Sequence, residues 1–212
     1  MQTIIDTLLI ILLLLVAIAL HEMSHAVVAY ALGDDTAKKA GRFKLHTHFD
    51  LYGCFLIPAL LYFCHSPIIF GYAKPVPVDT RKFEKPLMDM ALVAAAGPLC
   101  NLLLAALGAW VFSCTVGTNN LIMHYGFDFM MVNLTLCLFN LIPIPPLDGS
   151  RIMAAIVPES IARKMLKIEP FGFFIIIGIE ITCSQLSSIL GYRIGMSAVV
   201  YNLLEKILAY LV

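Results

Sequence analysis

The stretch that decides the fold is LLIILLLLVAIALHEMSH, residues 8–25, in which an uninterrupted apolar run ends directly on two histidines and a glutamate. Residues four apart on a helix lie on one face about one turn apart, so His21 and His25 can reach one metal ion. The adjacent Glu22 can act as a base towards water at that metal. Ionisable groups at membrane depth cost about 2.5–3.5 kcal/mol each to insert, and they usually mark a functional site. The sequence therefore predicts a membrane helix that carries a metal centre.

The composition indicates that lipid is the solvent for much of the chain. Of the 212 residues, 60% are hydrophobic and 13% are charged, whereas a soluble globular domain carries about 25% charged residues. A chain of this length cannot bury that much apolar surface in a core of its own. The formal net charge is +0, so the basic surface that nucleic acid requires is missing and we expect no nucleic-acid partner. Six cysteines without a C-x-x-C pair exclude a zinc ribbon and a thioredoxin-like motif.

The apolar segments predict an all-α polytopic membrane protein with about five to six membrane segments. A spanning helix needs about 20 residues, which predicts core helices at 4–32, 88–114 and 127–147 and C-terminal helices at 171–190 and 196–212. Glycines and prolines interrupt residues 51–72, so this segment is predicted to be a re-entrant hairpin. The sequence contains no internal repeat and no linker. We therefore expect a single membrane-embedded domain, residues 1–212.

A catalytic zinc site needs three protein ligands and one open position, so a third ligand must come from elsewhere in the chain. The candidates are Asp148, Glu180 and the pair His46 and His48. Asp148 closes a stretch with three prolines, NLIPIPPLDG, residues 140–149. Irregular backbone at membrane depth persists only where it is buried in protein or lines a wet cavity, which favours Asp148. Glu180 has no such setting and is interpreted as a carboxyl that is neutral or paired.

Two polar loops show features of extended backbone. Residues 43–49, FKLHTHF, alternate as a short strand does, which would place His46 and His48 on one side, facing solvent or substrate. Residues 72–78 contain a P-V-P-V run that favours extended backbone. We therefore predict short β-like segments near the active site, whose edges could pair with an unwound substrate by strand addition.

The order of four motifs resembles a known family. H-E-x-x-H on a membrane helix, followed later by N-x-x-P-x-P-x-L-D-G, resembles the site-2 proteases, which are intramembrane zinc metalloproteases of peptidase family M50. The stretches GYAKPVPV, residues 71–78, and AAAGPLCN, residues 94–101, resemble its compact prokaryotic branch, which has no PDZ or CBS domain. The resemblance covers the chain from the first helix to about Arg151.

This resemblance implies a bound Zn²⁺ and assigns roles to individual residues. It implies three zinc ligands: His21, His25 and Asp148. It further implies Glu22 as the catalytic base and Asn140 as a residue that binds substrate or stabilises the oxyanion. Asn101, with Gly97, matches a helix motif that packs against the site, which implies a supporting or substrate-binding role.

The expected function is hydrolysis of peptide bonds in or near the transmembrane segments of membrane-protein or peptide substrates. A metal or proton transporter would instead spread ionisable residues through several helices and usually show a repeated half. A catalytically inactive scaffold would have no need of Glu22 beside intact ligands. Because the ionisable residues converge on one pair of motifs, the metalloprotease interpretation is preferred.

Charge distribution predicts the topology, with a prokaryotic cell membrane as the expected location. Of the 14 basic residues, four lie in each of the segments 37–50, 73–86 and 149–170. Basic loops accumulate on the cytoplasmic side, so all three segments are placed there. The segment between the first two must then return to the side it left, and the metal centre lies inside the bilayer nearer the cytoplasm.

Cysteine labelling tests this topology after the native cysteines are replaced. Single cysteines at Lys39, Lys82 and Lys164 should all react from the cytoplasmic side, because all three belong to the basic segments. A cysteine in the uncharged loop 115–126 is the control and should react from outside. Labelling of position 82 from outside, with position 39 labelled from within, would contradict the hairpin.

Overall fold

The computed structural model describes residues 2–48, 74–118, 120–191 and 194–211. Within these ranges the protein is built from helices and contains no strand, which confirms the predicted all-α class. The β-like segment predicted at 43–49 is wrong over its described part, because Leu45–His48 forms a turn of 3-10 helix. The Thr47 hydroxyl donates to the Lys44 carbonyl at 2.6 Å, and such local side-chain bonds compete with strand pairing.

Eight α-helices follow one another in the described residues. They are α1 Gln2–Ala31, α2 Thr36–Lys39, α3 Pro86–Thr115, α4 Asn120–Asn140, α5 Asp148–Ile156, α6 Glu159–Ile168, α7 Gly172–Leu190 and α8 Met196–Leu211. Four helical stretches of this described part are long and apolar enough to cross a membrane: Leu8–Ala31, Pro86–Thr115, Asn120–Asn140 and Glu159–Leu190. The protein is therefore an integral membrane protein.

Helix α4 differs most from the sequence expectation. The apolar pattern predicts a helix over 127–147, whereas α4 spans Asn120–Asn140. It ends at Asn140 because Pro143, Pro145 and Pro146 follow, and the residue before a proline is disfavoured in helical conformation. The apolar residues beyond the helix end belong to the irregular turn that leads into α5.

Helix α3 lies at the centre of the described fold and packs against α1, α4 and α5. Its backbone touches that of α4 at Gly108, where an added Cβ would lie 2.7 Å from the Met130 nitrogen. Small residues permit this close approach, which is how helices associate in lipid without a hydrophobic driving force between them. A cluster of buried residues, with Leu134 and Leu204 among them, continues the packing from α4 to α8.

Asp34 lies in the turn that follows α1, is fully buried, and holds the segment 74–79 in place. The Asp79 amide donates to the Asp34 carboxylate at 2.7 Å, the Thr36 amide donates at 2.9 Å, and Lys82 forms an ion pair with it at 3.1 Å. Burial opposes ionisation of Asp34, but the hydrogen bonds from Thr36 and Asp79 and the bond from Lys82 outweigh it and lower its pKa. The charged carboxylate therefore anchors this segment beside α1.

The predicted re-entrant segment, residues 51–72, lies outside the described residues. The residues that flank the undescribed stretch meet each other: the Lys74 amide donates to the His48 carbonyl at 3.0 Å. The chain therefore leaves and re-enters the described structure at one place.

Candidate metal centre

Three side chains from two distant parts of the chain meet in the interior. His21 and His25 lie one turn apart on α1, and Asp148 is the first residue of α5. The two Nε2 atoms are 3.1 Å apart, and the Asp148 Oδ2 atom lies 3.2 Å from the first and 3.4 Å from the second. Within the described residues, this is the group of histidine, cysteine and acidic side chains whose geometry suits a metal ion.

The spacing fits a zinc ion. Zinc bonds of about 2.0–2.1 Å in a tetrahedral site put neighbouring ligand atoms roughly 3.3 Å apart, and the three observed separations lie close to this value. All three side chains are buried, and among described residues Asp148 Oδ2 has no hydrogen-bond partner. A buried, unsatisfied carboxylate oxygen is costly, so a cation at this point would stabilise it.

The hydrogen bonds of the rings direct both Nε2 lone pairs inwards. His25 Nδ1 lies 2.7 Å from the Val93 carbonyl oxygen, which can only accept, so this nitrogen carries the proton. His21 Nδ1 lies 2.5 Å from Asn101 Oδ1. With both protons on Nδ1, both Nε2 atoms are free to bind metal, an arrangement typical of histidine ligands.

Gly97 lets α3 pack directly against the two imidazole rings. An added Cβ at this position would lie 2.4 Å from His21 Cε1 and 2.5 Å from His25 Cε1. Such distances are far shorter than van der Waals contact, so no larger residue fits without displacement of the rings. The absence of a side chain at Gly97 therefore fixes how closely α3 supports the centre.

The other candidates for a third ligand lie elsewhere. Glu180 is on α7, where its carboxylate lies against Gly195. His46 is exposed, as expected. His48, interpreted from sequence as facing solvent or substrate, is instead fully buried, and its Nε2 donates to the Arg42 carbonyl at 2.8 Å. The strand alternation behind that interpretation is absent, because this segment is helical.

A cavity of about 580 Å³ opens beside the three side chains, and Glu22 and Asn140 line it. One carboxylate oxygen of Glu22 accepts a hydrogen bond from the Val76 amide at 3.2 Å. The Asn140 side-chain amide donates to the Leu136 carbonyl of its own helix at 3.0 Å. Both residues predicted to be catalytic therefore face the same cavity as the candidate ligands.

Asn101 occupies a different position from the one expected of a substrate-binding residue. It is fully buried, and its side chain is bonded to His21 rather than exposed to the cavity. This position favours the supporting role implied by its motif, and the substrate-binding role stays a prediction.

Sequence reasoning missed several residues around the centre. Asn133 on α4 is fully buried and bonded to Asn101, and an asparagine within the apolar stretch of this helix was the available signal. Arg151 lines the cavity and pairs with Glu169. Its position three residues after Asp148 on α5 could have indicated that Arg151 lines the cavity, because residues three apart share a helical face. No feature of the sequence indicates the hydrogen bond between the Val76 amide and Glu22.

Comparison with known proteins agrees with the chemistry of this centre. The model of peptidase family M50 matches residues 9–128 and 115–182. A Bacillus subtilis (strain 168) protein named "Putative zinc metalloprotease YwhC" is 38% identical over 187 residues, which cover 80% of this chain and 78% of that protein. No solved structure matches the chain.

Removal of single carboxylates tests the third ligand. Asp148→Ala should lower zinc affinity by more than about 100-fold, because loss of a direct ligand exceeds the 10–100-fold typical of outer-shell changes. Glu180→Ala is the matched control and should keep wild-type affinity, since its carboxylate lies at Gly195. Zinc titration of the purified variants against a competing chelator measures both. Zinc loss in Glu180→Ala but not in Asp148→Ala would refute the assignment.

Proposed function

Because the chain belongs to peptidase family M50 and is a zinc metalloprotease, we propose that it hydrolyses peptide bonds in or near the transmembrane segments of membrane-protein substrates. The observation that carries this proposal is the convergence of His21, His25 and Asp148 beside Glu22. The first two ligands lie on a helix that is long and apolar enough to cross a membrane. A peptidase centre built on such a helix suits a substrate that is itself in the membrane.

The proposed roles follow from the positions of the side chains. His21, His25 and Asp148 would hold the zinc ion, which when bound would act as a Lewis acid and lower the pKa of water at the site towards about 7. Glu22 takes a proton from the attacking water and delivers it to the leaving amine. Asn140 faces the same cavity, and its side-chain NH₂ group has a second N–H, besides the one donated to Leu136, that donates to the oxyanion. Loss of one oxyanion donor typically lowers the rate by about 100–1,000-fold.

The segment 74–78 supports both the base and the substrate. The Val76 amide holds one oxygen of Glu22, so the carboxylate is oriented before substrate arrives. Pro75 and Pro77 have no N–H, so Val76 supplies the one amide donor among these three residues. A substrate unwound at the scissile bond would align along this segment and pair with its remaining backbone groups.

The proposed location is the cell membrane of a prokaryote, with lipid around the long helices and the centre nearer the cytoplasm. The basic segments 37–50, 73–86 and 149–170 support this orientation. The hydrogen bond between Lys74 and His48 supports a re-entrant path for residues 51–72. A single full crossing would separate its two ends by about 30 Å. We assign residues 1–212 to one membrane-embedded domain, since α3 packs against helices from both halves of the chain.

Substitution of the base separates catalysis from metal binding. Glu22→Gln should lower the rate of substrate cleavage by about 10²–10⁴-fold, which is the usual contribution of a general base. Zinc affinity should stay at the wild-type value, because Glu22 does not belong to the ligand group. Cleavage of a reconstituted transmembrane peptide and chelator titration measure the two quantities.

Glu84→Gln makes the same chemical change at an exposed position and should leave both quantities unchanged. If Glu22→Gln cleaved the substrate at the wild-type rate, Glu22 would not be the catalytic base. Loss of zinc from Glu22→Gln would instead make this residue a ligand.

A further inference from the structure

A chain of three side chains leads from the metal centre to the backbone of α4. His21 Nδ1 lies 2.5 Å from Asn101 Oδ1, and Asn101 Nδ2 donates to Asn133 Oδ1 at 2.9 Å. Asn133 Nδ2 donates in turn to the Phe129 carbonyl at 2.9 Å. Both asparagines are fully buried, so their amides depend on protein partners to satisfy them.

The direction of every bond in this chain follows from its last member. The Phe129 carbonyl can only accept, so Asn133 must point its NH₂ group there and its oxygen towards Asn101. That oxygen requires the NH₂ group of Asn101, which turns the Asn101 oxygen towards His21. His21 must then carry its proton on Nδ1, and its Nε2 lone pair faces Asp148.

His25 needs no such chain, which explains why the two ligands differ in their surroundings. Its Nδ1 donates directly to the Val93 carbonyl, and a backbone carbonyl cannot exchange its oxygen for a donor. The partner of His21 is a side-chain amide, in which rotation by 180° exchanges oxygen and nitrogen with little change in shape. A second group must therefore fix the orientation of Asn101.

We propose that Asn133 is a positioning residue that fixes the tautomer of His21 through Asn101 and thereby sets the zinc affinity of the centre. This inference rests on the proposed ligand role of His21. Without the Asn133 oxygen, the Asn101 amide is free to turn its NH₂ group towards His21. His21 Nδ1 then accepts a hydrogen bond, the ring proton moves to Nε2, and the nitrogen that faces Asp148 is no longer a ligand.

Asn133→Leu tests the first half of this argument, because leucine has a similar size and no polar atom. Its zinc affinity should fall by about 10–100-fold, as for other groups that orient a metal-bound histidine. Chelator titration in detergent measures the affinity, and the absorption spectrum of the Co²⁺-loaded protein reports whether the ligand set has changed. Asn133→Ala serves as the second variant, should the leucine variant fail to purify.

The double variant Asn101→Asp with Asn133→Leu tests the mechanism itself. Both oxygens of a carboxylate accept, so either orientation of Asp at position 101 keeps the proton of His21 on Nδ1. Zinc affinity should return to within a few-fold of the affinity of the single variant Asn101→Asp. The Co²⁺ spectrum should match the spectrum of that single variant. A merely structural role of Asn133 would not be rescued by a change at position 101.

Leu134→Ala is the matched control for packing, since this neighbouring residue is buried against α8. It should lower thermal stability and leave zinc affinity unchanged. Wild-type zinc affinity in Asn133→Leu, or a double variant as weak as Asn133→Leu alone, would overturn the inference. In both cases His21→Ala should still lose zinc, whereas retention of zinc in His21→Ala would refute the ligand role itself and the inference with it.

Discussion

The close approach of α3 to α1 at Gly97 is the constraint on which the metal centre depends. The backbone of α3 lies against both imidazole rings, so close that a single added carbon would overlap them. This contact also brings the Val93 carbonyl and the Asn101 side chain within hydrogen-bond distance of His25 and His21. Gly97 therefore lets two acceptors on α3, the Val93 carbonyl and the Asn101 side chain, reach the rings. These acceptors determine which nitrogen of each ring is free to bind metal.

The consequence is an electrostatic arrangement that requires a cation. Two imidazole lone pairs and one carboxylate oxygen face a common point within a buried region, where their mutual repulsion is weakly screened. A bound zinc ion would replace this repulsion by coordination, and part of its binding free energy would stabilise the fold. Asp148 reaches this point because the prolines after α4 end that helix and α5 then begins at the carboxylate. Its place at a helix N-terminus also favours its negative charge.

The sequence revealed the centre more fully than its surroundings. His21, His25 and Asp148 were predicted from a motif and a proline-rich break, because ligand chemistry permits few residue types and spacings. The strand predicted at 43–49 is wrong over its described residues, 43–48, because local hydrogen bonds of Thr47 and His48 outweigh a short alternating pattern. The end of α4 was misplaced because hydropathy does not distinguish a helix from the apolar turn that follows it. Asn133 and Val76 depend on contacts between distant segments, which no local pattern encodes.

The most direct test of this account is the zinc affinity of Gly97→Ala compared with that of Gly178→Ala. Both changes add one methyl group to a membrane helix, but the group at position 178 meets no atom within 4 Å. Gly178→Ala should bind zinc with wild-type affinity, whereas Gly97→Ala should bind it at least about tenfold more weakly, as expected when the groups that orient ligands are displaced. Wild-type affinity in a folded Gly97→Ala protein would contradict the view that the α1–α3 contact organises the metal centre.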